Sequence, residues 1–234
     1  MSKPTLSTAL LLACCASLCA PPRALALDVT TAAVPAEITD ASLQIGRHKL
    51  DLPPGRWFLA QSDHHEIGHG REKTEAYDAW AVAVDGPKVR MVVKISLPAN
   101  DVPRARRWVL NPCTAPEGIL RDDLSGGVGQ PECLAIFGHE HLRGVLQRRA
   151  TPVARWIASH SALDPSTGAV EFTYMKRTEQ SFGALRIFMP TDSFAADDDA
   201  RKWAASLRDA MEPLFDGEAS EVRLPAIPAS QQGL

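Results

Sequence analysis

Hydrophobic positions in this chain fall into short runs with a period of two, broken repeatedly by Gly, Pro and Asp, and a period of 3.6 takes over only near the C-terminus. The sharpest runs are Ala79-Trp80-Ala81-Val82-Ala83-Val84 and Lys88-Val89-Arg90-Met91-Val92-Val93-Lys94-Ile95-Ser96-Leu97, separated by Asp85-Gly86-Pro87. β-Branched side chains suit a pleated surface and Asp-Gly tolerates the positive φ of a tight turn, so this stretch predicts a hairpin. Upstream, Leu43 and Ile45 answer Leu50 and Leu52 across a polar centre, and Pro53-Pro54-Gly55 turns the chain into Arg56-Trp57-Phe58-Leu59-Ala60, which predicts a first hairpin. Downstream, Cys133 to Leu142 alternates so that Cys133, Ala135, Phe137, His139 and His141 share one strand face. Val170 to Arg177 and Ala184 to Met189 predict a further hairpin, and Arg107 to Leu110 is a lone strand-like piece in the loop-rich stretch between Pro98 and Pro131.

Two segments read as helices. Thr151-Pro152 offers an N-cap and an N1 proline for a helix over about 151–160, with Val153, Trp156 and Ile157 on its apolar side. Ala200, Trp203, Ala204, Leu207, Met211 and Leu214 recur at helical spacing, which predicts a C-terminal amphipathic helix over about 195–212. Asp197, Asp198 and Asp199 fall in its early turns, where the helix dipole favours acids, with Asp192 and Ser193 as candidate caps. Pro213 should disturb the last turn and Gly217 should end it. Hairpins packed by these two helices predict an α+β fold on an antiparallel sheet, because the helical crossovers of a doubly wound sheet are missing. The single domain is expected over 42–217. The Ala-, Thr- and Pro-rich 27–41 reads as a disordered leader and 218–234 as a flexible tail.

The N-terminus changes the picture of where the protein works. Lys3, an apolar run from Leu6 to Ala20, and Ala24-Leu25-Ala26 match a secretory signal with cleavage before Leu27, giving 1–26 as signal peptide. The expected localisation is periplasmic or secreted; Leu11-Leu12-Ala13-Cys14 roughly resembles a lipobox, so lipoprotein anchoring is the minor alternative. The run is short of the ~20 residues that span a bilayer, and no later segment reaches that length without charges. Cleavage removes Lys3 and Arg23 and no acid, which takes the net charge from −3 to −5. That mild acidity argues against a nucleic-acid partner and leaves a protein or a small molecule as the expected ligand class. Cys14, Cys15 and Cys19 leave with the signal, and the remaining Cys113 and Cys133 read as a disulfide in an oxidising compartment. Closing that loop would contribute roughly 3 kcal/mol in the chain-entropy picture.

Candidate chemistry centres on Asp63-His64-His65-Glu66-Ile67-Gly68-His69-Gly70. His65, Glu66 and His69 form an HExxH match, and over these three residues the chain resembles the zincin metallopeptidases. That resemblance implies zinc held by His65 and His69 on adjacent helical turns, with Glu66 as general base on the bound water. The metzincin pattern would continue with Gly and His where this chain has Glu72 and Glu75, so Glu75 is the available third ligand. Ile67 is the lone apolar side chain between Gln61 and Glu75, which gives no stripe to seat a buried helix, and the stretch reads first as an exposed loop. A second alternative is a non-catalytic metal site through His139 and His141, neighbours on one strand face. No GxSxG nucleophile elbow occurs, no GxGxxG follows a strand, and the Gly-rich 126–129 lacks the Lys-Ser or Lys-Thr of a phosphate loop. The leading expectation is therefore an exported, non-catalytic binding or accessory domain without a cofactor. Intact-mass measurement of the exported protein should give a chain that starts at Leu27 and is two hydrogens lighter than its reduced form. A retained N-terminus, or two free thiols, would contradict the export argument.

Overall fold

Strand pairing gathers the hydrophobic runs into two sheets. The structure is a computed structural model and describes residues 25–67, 73–99, 120–123, 131–160, 167–178 and 181–228. In chain order the elements are β1 (Leu27–Asp28), β2 (Ala36–Ile38), β3 (Ser42–Ile45), β4 (His48–Asp51), β5 (Arg56–Ile67), β6 (Thr74–Asp85), β7 (Lys88–Pro98), β8 (Leu120–Asp123) and β9 (Glu132–His139). Then come α1 (Leu142–Arg149), α2 (Thr151–His160), β10 (Ala169–Arg177), β11 (Phe182–Pro190), α3 (Asp197–Phe215) and β12 (Glu221–Arg223). The large sheet runs β2-β5-β6-β7-β11-β10-β9-β8 and is antiparallel throughout. A small sheet runs β1-β3-β4-β12, with β1 and β12 joining the β3–β4 hairpin in parallel. The α+β class expected from the pattern is the class found.

The hairpin of β6 and β7 lies where Asp85-Gly86-Pro87 placed it, with Gly86 at φ 55°. Its strands read as nearly continuous apolar runs because the middle of the large sheet is covered on both faces. On one face Ala79, Ala81, Val93, Ile95, Leu185, Ile187, Phe172 and Tyr174 meet α3 and the small sheet. On the other, Trp80, Val82, Val92 and Phe188 meet α1 and α2 through Leu142, Val145, Leu146, Val153, Trp156 and Ile157. The result is three layers: the α1–α2 pair, the large sheet, and α3 beside the small sheet.

α3 carries the predicted stripe, with Ala200, Trp203, Ala204, Leu207, Met211 and Leu214 all buried. Trp203 packs edge-on to Phe172 and donates its indole N–H to the carbonyl of Ala226 at 2.9 Å. Pro213 stays inside the helix, which runs on to Phe215, three residues past the expected end, before Gly217 at φ 77° turns the chain out. Phe215 stacks on Tyr174 and lies directly over Gly183 of β11, where any side chain would collide with its ring. Below it, Lys176 is bonded to Glu212 and Asp216 at 2.8 Å each and lies 3.5 Å from Glu132. Burial pulls the Lys176 ammonium pKa down, but Asp216, Glu212 and Glu132 together push it well above the usual lysine value. Tyr174, buried and bonded to Glu132 at 2.9 Å, has its phenol pKa pushed up by that burial and then by the carboxylate.

The structure differs from the sequence expectations at both ends of the domain. Residues 27–41, expected as a disordered leader, contain β1 and β2, and Val29 and Ile38 are buried in the core at 2% exposure. Short strands lacking alternation leave no periodic signal, and it is edge pairing to β3 and β5 that orders them. Within the expected tail, Glu221–Arg223 form β12 and Leu224 is buried. Leu43 to Leu52 forms its own hairpin in the small sheet, and β5 pairs in the large one, so Pro53-Pro54-Gly55 carries the chain between sheets. α1 was not expected: Gly144 interrupts the run, yet Leu142, Val145 and Leu146 pack at helical spacing. The Thr151 hydroxyl donates back to the Gln147 carbonyl instead of capping α2, and at α3 the N-cap is Ala196, with no side-chain cap bond, in place of Asp192 or Ser193. Residues 1–24 of the expected signal, the 107–110 strand piece and the Gly-rich 126–129 lie outside the described residues.

Trp203→Ala should lower the unfolding free energy by roughly 3–5 kcal/mol, while Lys202→Ala on the exposed face changes it by less than about 0.5 kcal/mol. Chemical denaturation of both variants checks this. Equal midpoints for the two would mean that α3 does not close the core.

Candidate functional site

His65, Glu66 and Ile67 of the HExxH match are strand, not loop or helix. β5 continues in extended form through Ile67, with His65 opposite Ala76 and Glu66 opposite Glu75 on β6. Alternation sends His65 and Glu66 to opposite faces, and Glu66 is held by Lys73 at 2.5 Å. Helical presentation of a metal pair needs both histidines on adjacent turns, and an extended backbone at His65 and Glu66 does not provide it. His69 lies outside the described residues. Glu75, the alternative third ligand, sits 3.8 Å from His64, whose ring stacks on Tyr77. The outward-pointing, solvated character expected of this stretch is present: Asp63 to Glu66 are exposed.

His139 and His141 are separated by a change of element. The strand ends at His139, and His141 is the exposed N-cap of α1, so the alternation that would pair them stops short. His160 is spent on the end of α2, stacked on Trp156 with its Nδ1 2.9 Å from the Trp156 carbonyl. Among the described residues no group of three or more His, Cys, Asp or Glu side chains is placed to hold a metal ion. Cys133 is buried on β9, while Cys113 lies outside the described residues.

A different set of polar groups does converge. On their face of the large sheet α1 and α2 pack on Trp80, Val82, Val92 and Phe188, and next to these the face turns from apolar to charged. Register places Trp80, Lys94, Arg186, Thr173 and Ala135 side by side across β6, β7, β11, β10 and β9. The next row is Asp78, Ser96, Ala184, Met175 and Cys133. Glu171, two residues from Thr173 on the same face, is 0% exposed. Arg149, from the last turn of α1, reaches its Oε1 at 2.7 Å, His139 Nε2 lies 2.7 Å from its Oε2, and the Thr173 hydroxyl donates to Oε1 at 3.2 Å. A buried carboxylate costs several kcal/mol unless its lone pairs are filled, and three donors fill this one. Asp78 is held likewise, by Lys94 Nζ at 2.6 Å and by the Ser96 hydroxyl in a short hydrogen bond. Lys94 also lies 5.7 Å from the centre of the Trp80 ring.

Arg186 stands between these two anchored acids. It is half-buried, and it makes no hydrogen bond or ion pair to any described residue. Burial lowers the pKa of its guanidinium, Glu171 and Asp78 counteract, and Arg149 adds to the lowering. Arginine nevertheless keeps its charge at any ordinary pH, so the strip holds a half-buried cation whose donors bond to none of the described residues. Sequence reasoning missed this strip. The signal was present, as a charge interrupting an apolar run on a central strand: Lys94 in Val92-Val93-Lys94-Ile95, Glu171 in Ala169-Val170-Glu171-Phe172 and Arg186 in Ala184-Leu185-Arg186-Ile187.

At the far end of the sheet an open depression of about 410 Å3 is lined by Pro54, Gly55, Arg56, Asp85, Arg90 and Ile227 among others. Its Arg56 is already bonded to Glu37 at 2.8 Å and lies over the Phe58 ring, so that guanidinium is committed to structure. Among the described residues no helix is long and apolar enough to cross a membrane. Comparisons with family models, with curated proteins and with solved structures returned no match.

Proposed function

We propose that this chain is an exported, non-catalytic binding domain whose ligand-contact surface is the polar strip of the large sheet beyond α1 and α2. The observation that carries this reading is the pairing pattern of the strip: Glu171 and Asp78 are each fully engaged by donors, while Arg186 between them is not. Carboxylates whose oxygens are already taken up by two or three donors suit a fixed electrostatic frame better than acid–base work on a substrate. A half-buried guanidinium on a rigid strand, by contrast, is a preorganised donor set for an incoming group. The export half of the reading rests on the N-terminal pattern of 1–26, and the oxidising compartment that export implies would let Cys113 and Cys133 bridge.

Amide spectra of the mature protein, recorded while neutral, cationic and anionic small solutes are added singly, test the reading. Saturable shifts should cluster at Asp78, Lys94, Thr173 and Arg186. Shifts confined to another surface, or conversion of any solute into a product, would contradict a binding role for this strip.

A further inference from the structure

The strip's charge and shape narrow the ligand class, and this step rests on the reading of the strip as the contact surface. Lys94, Arg149 and Arg186 stand against Asp78 and Glu171, so with the histidine left out of the count the strip carries a surplus of one positive charge on a chain whose net charge is −3. The surplus is localised. Lys94 is bonded to Asp78 and Arg149 to Glu171, which leaves Arg186, attracted by both acids without touching either, as the cation of the strip that makes no hydrogen bond or ion pair to a described residue. A half-buried cation gains from a counter-ion that reaches it with matched geometry, because the surrounding low dielectric strengthens the pair. Guanidinium presents parallel N–H donors that fit the two oxygens of a carboxylate. A phosphate dianion would bring a second negative charge up against the two fixed carboxylates of Asp78 and Glu171, whereas a single negative charge cancels the surplus.

The neighbours of Arg186 define what the rest of the ligand is made of. On the same face, Ala184 precedes Arg186 by two residues on β11, and Met175 of β10 is its cross-strand neighbour. Both are half-buried, so part of each apolar surface remains accessible beside the guanidinium. Thr173, directly across from Arg186, has its hydroxyl turned to Glu171 and so offers the ligand no free donor. We infer that Arg186 receives the carboxylate of an organic monoanion whose short hydrocarbon part lies on Ala184 and Met175.

Hexanoate, hexanamide and inorganic phosphate separate the possibilities when each is added to the mature protein and to Arg186→Met. That substitution keeps an unbranched side chain in place of the guanidinium, and its thermal unfolding curve verifies folding. Hexanoate should shift the amides of Thr173, Ala184 and Arg186 saturably. Hexanamide, the same shape without the charge, should bind weaker by on the order of tenfold or more, and so should hexanoate on Arg186→Met. Phosphate should leave these amides unmoved. Equal binding of hexanoate and hexanamide, or undiminished hexanoate binding to folded Arg186→Met, would overturn the inference while leaving the strip as a binding surface. Phosphate binding as well as hexanoate would overturn the choice of a carboxylate. If neither hexanoate nor hexanamide moves any amide of the strip, the inference falls and the reading beneath it falls too.

Discussion

A wide antiparallel sheet whose central strands are apolar on both faces must find two separate covers, and most of this molecule follows from that constraint. α3 and the small sheet supply one cover through a continuous cluster that runs from Val29 to Leu224. The second cover, α1 and α2, packs on Trp80, Val82, Val92 and Phe188. Beyond the residues that the helices touch, the same face carries Asp78, Lys94, Ser96, Glu171 and Arg186, of which Glu171 is fully buried and the others are half-buried. The transition from helix-covered to charged face is also where Arg149 leaves α1 to meet Glu171. One ion pair thus fixes the end of the helical cover and neutralises the deepest acid of the strip.

The two halves of the sheet serve different ends. On the α3 side, Lys176 draws Glu132, Glu212 and Asp216 together, and Phe215 rests on Gly183, so the charges there lock the last turn of a helix to the sheet. On the strip side, the ion pairs are made within the sheet and with the end of α1, and they leave one guanidinium over. The same chemistry closes an interface in the first case and presents a donor in the second. That contrast, more than any motif in the chain, gives the strip its functional reading.

The fold class, the β6–β7 and β10–β11 hairpins, α2 and α3 were legible because each carries many periodic apolar residues in succession. β1, β2 and β12 were not, since strands of two or three residues take their order from the partners they pair with and contain no period of their own. α1 was hidden by Gly144 and by a strand-like alternation that continues in the sequence through His141. The candidate site was least legible. HExxH drew attention because its letters match a known spacing, yet spacing carries chemistry only in the right secondary structure, and His65 and Glu66 lie in a strand. Glu171, Arg149 and Arg186 come from separate elements and share no motif. Register across β7, β11 and β10 brings Arg186 beside Lys94 and Thr173, and the close of α1 adds Arg149.

The character of the strip depends on how its charges are partitioned, with Glu171 paired to Arg149 and Arg186 left over. Double-mutant cycles on stability measure that partition directly, using Glu171→Gln with Arg149→Met and, separately, with Arg186→Met. The coupling between Glu171 and Arg149 should be about 1–3 kcal/mol, as for directly bonded neighbours, and that between Glu171 and Arg186 less than half as large. The opposite order would show that Arg186 is the partner of the buried acid, and the strip would then hold no uncommitted cation.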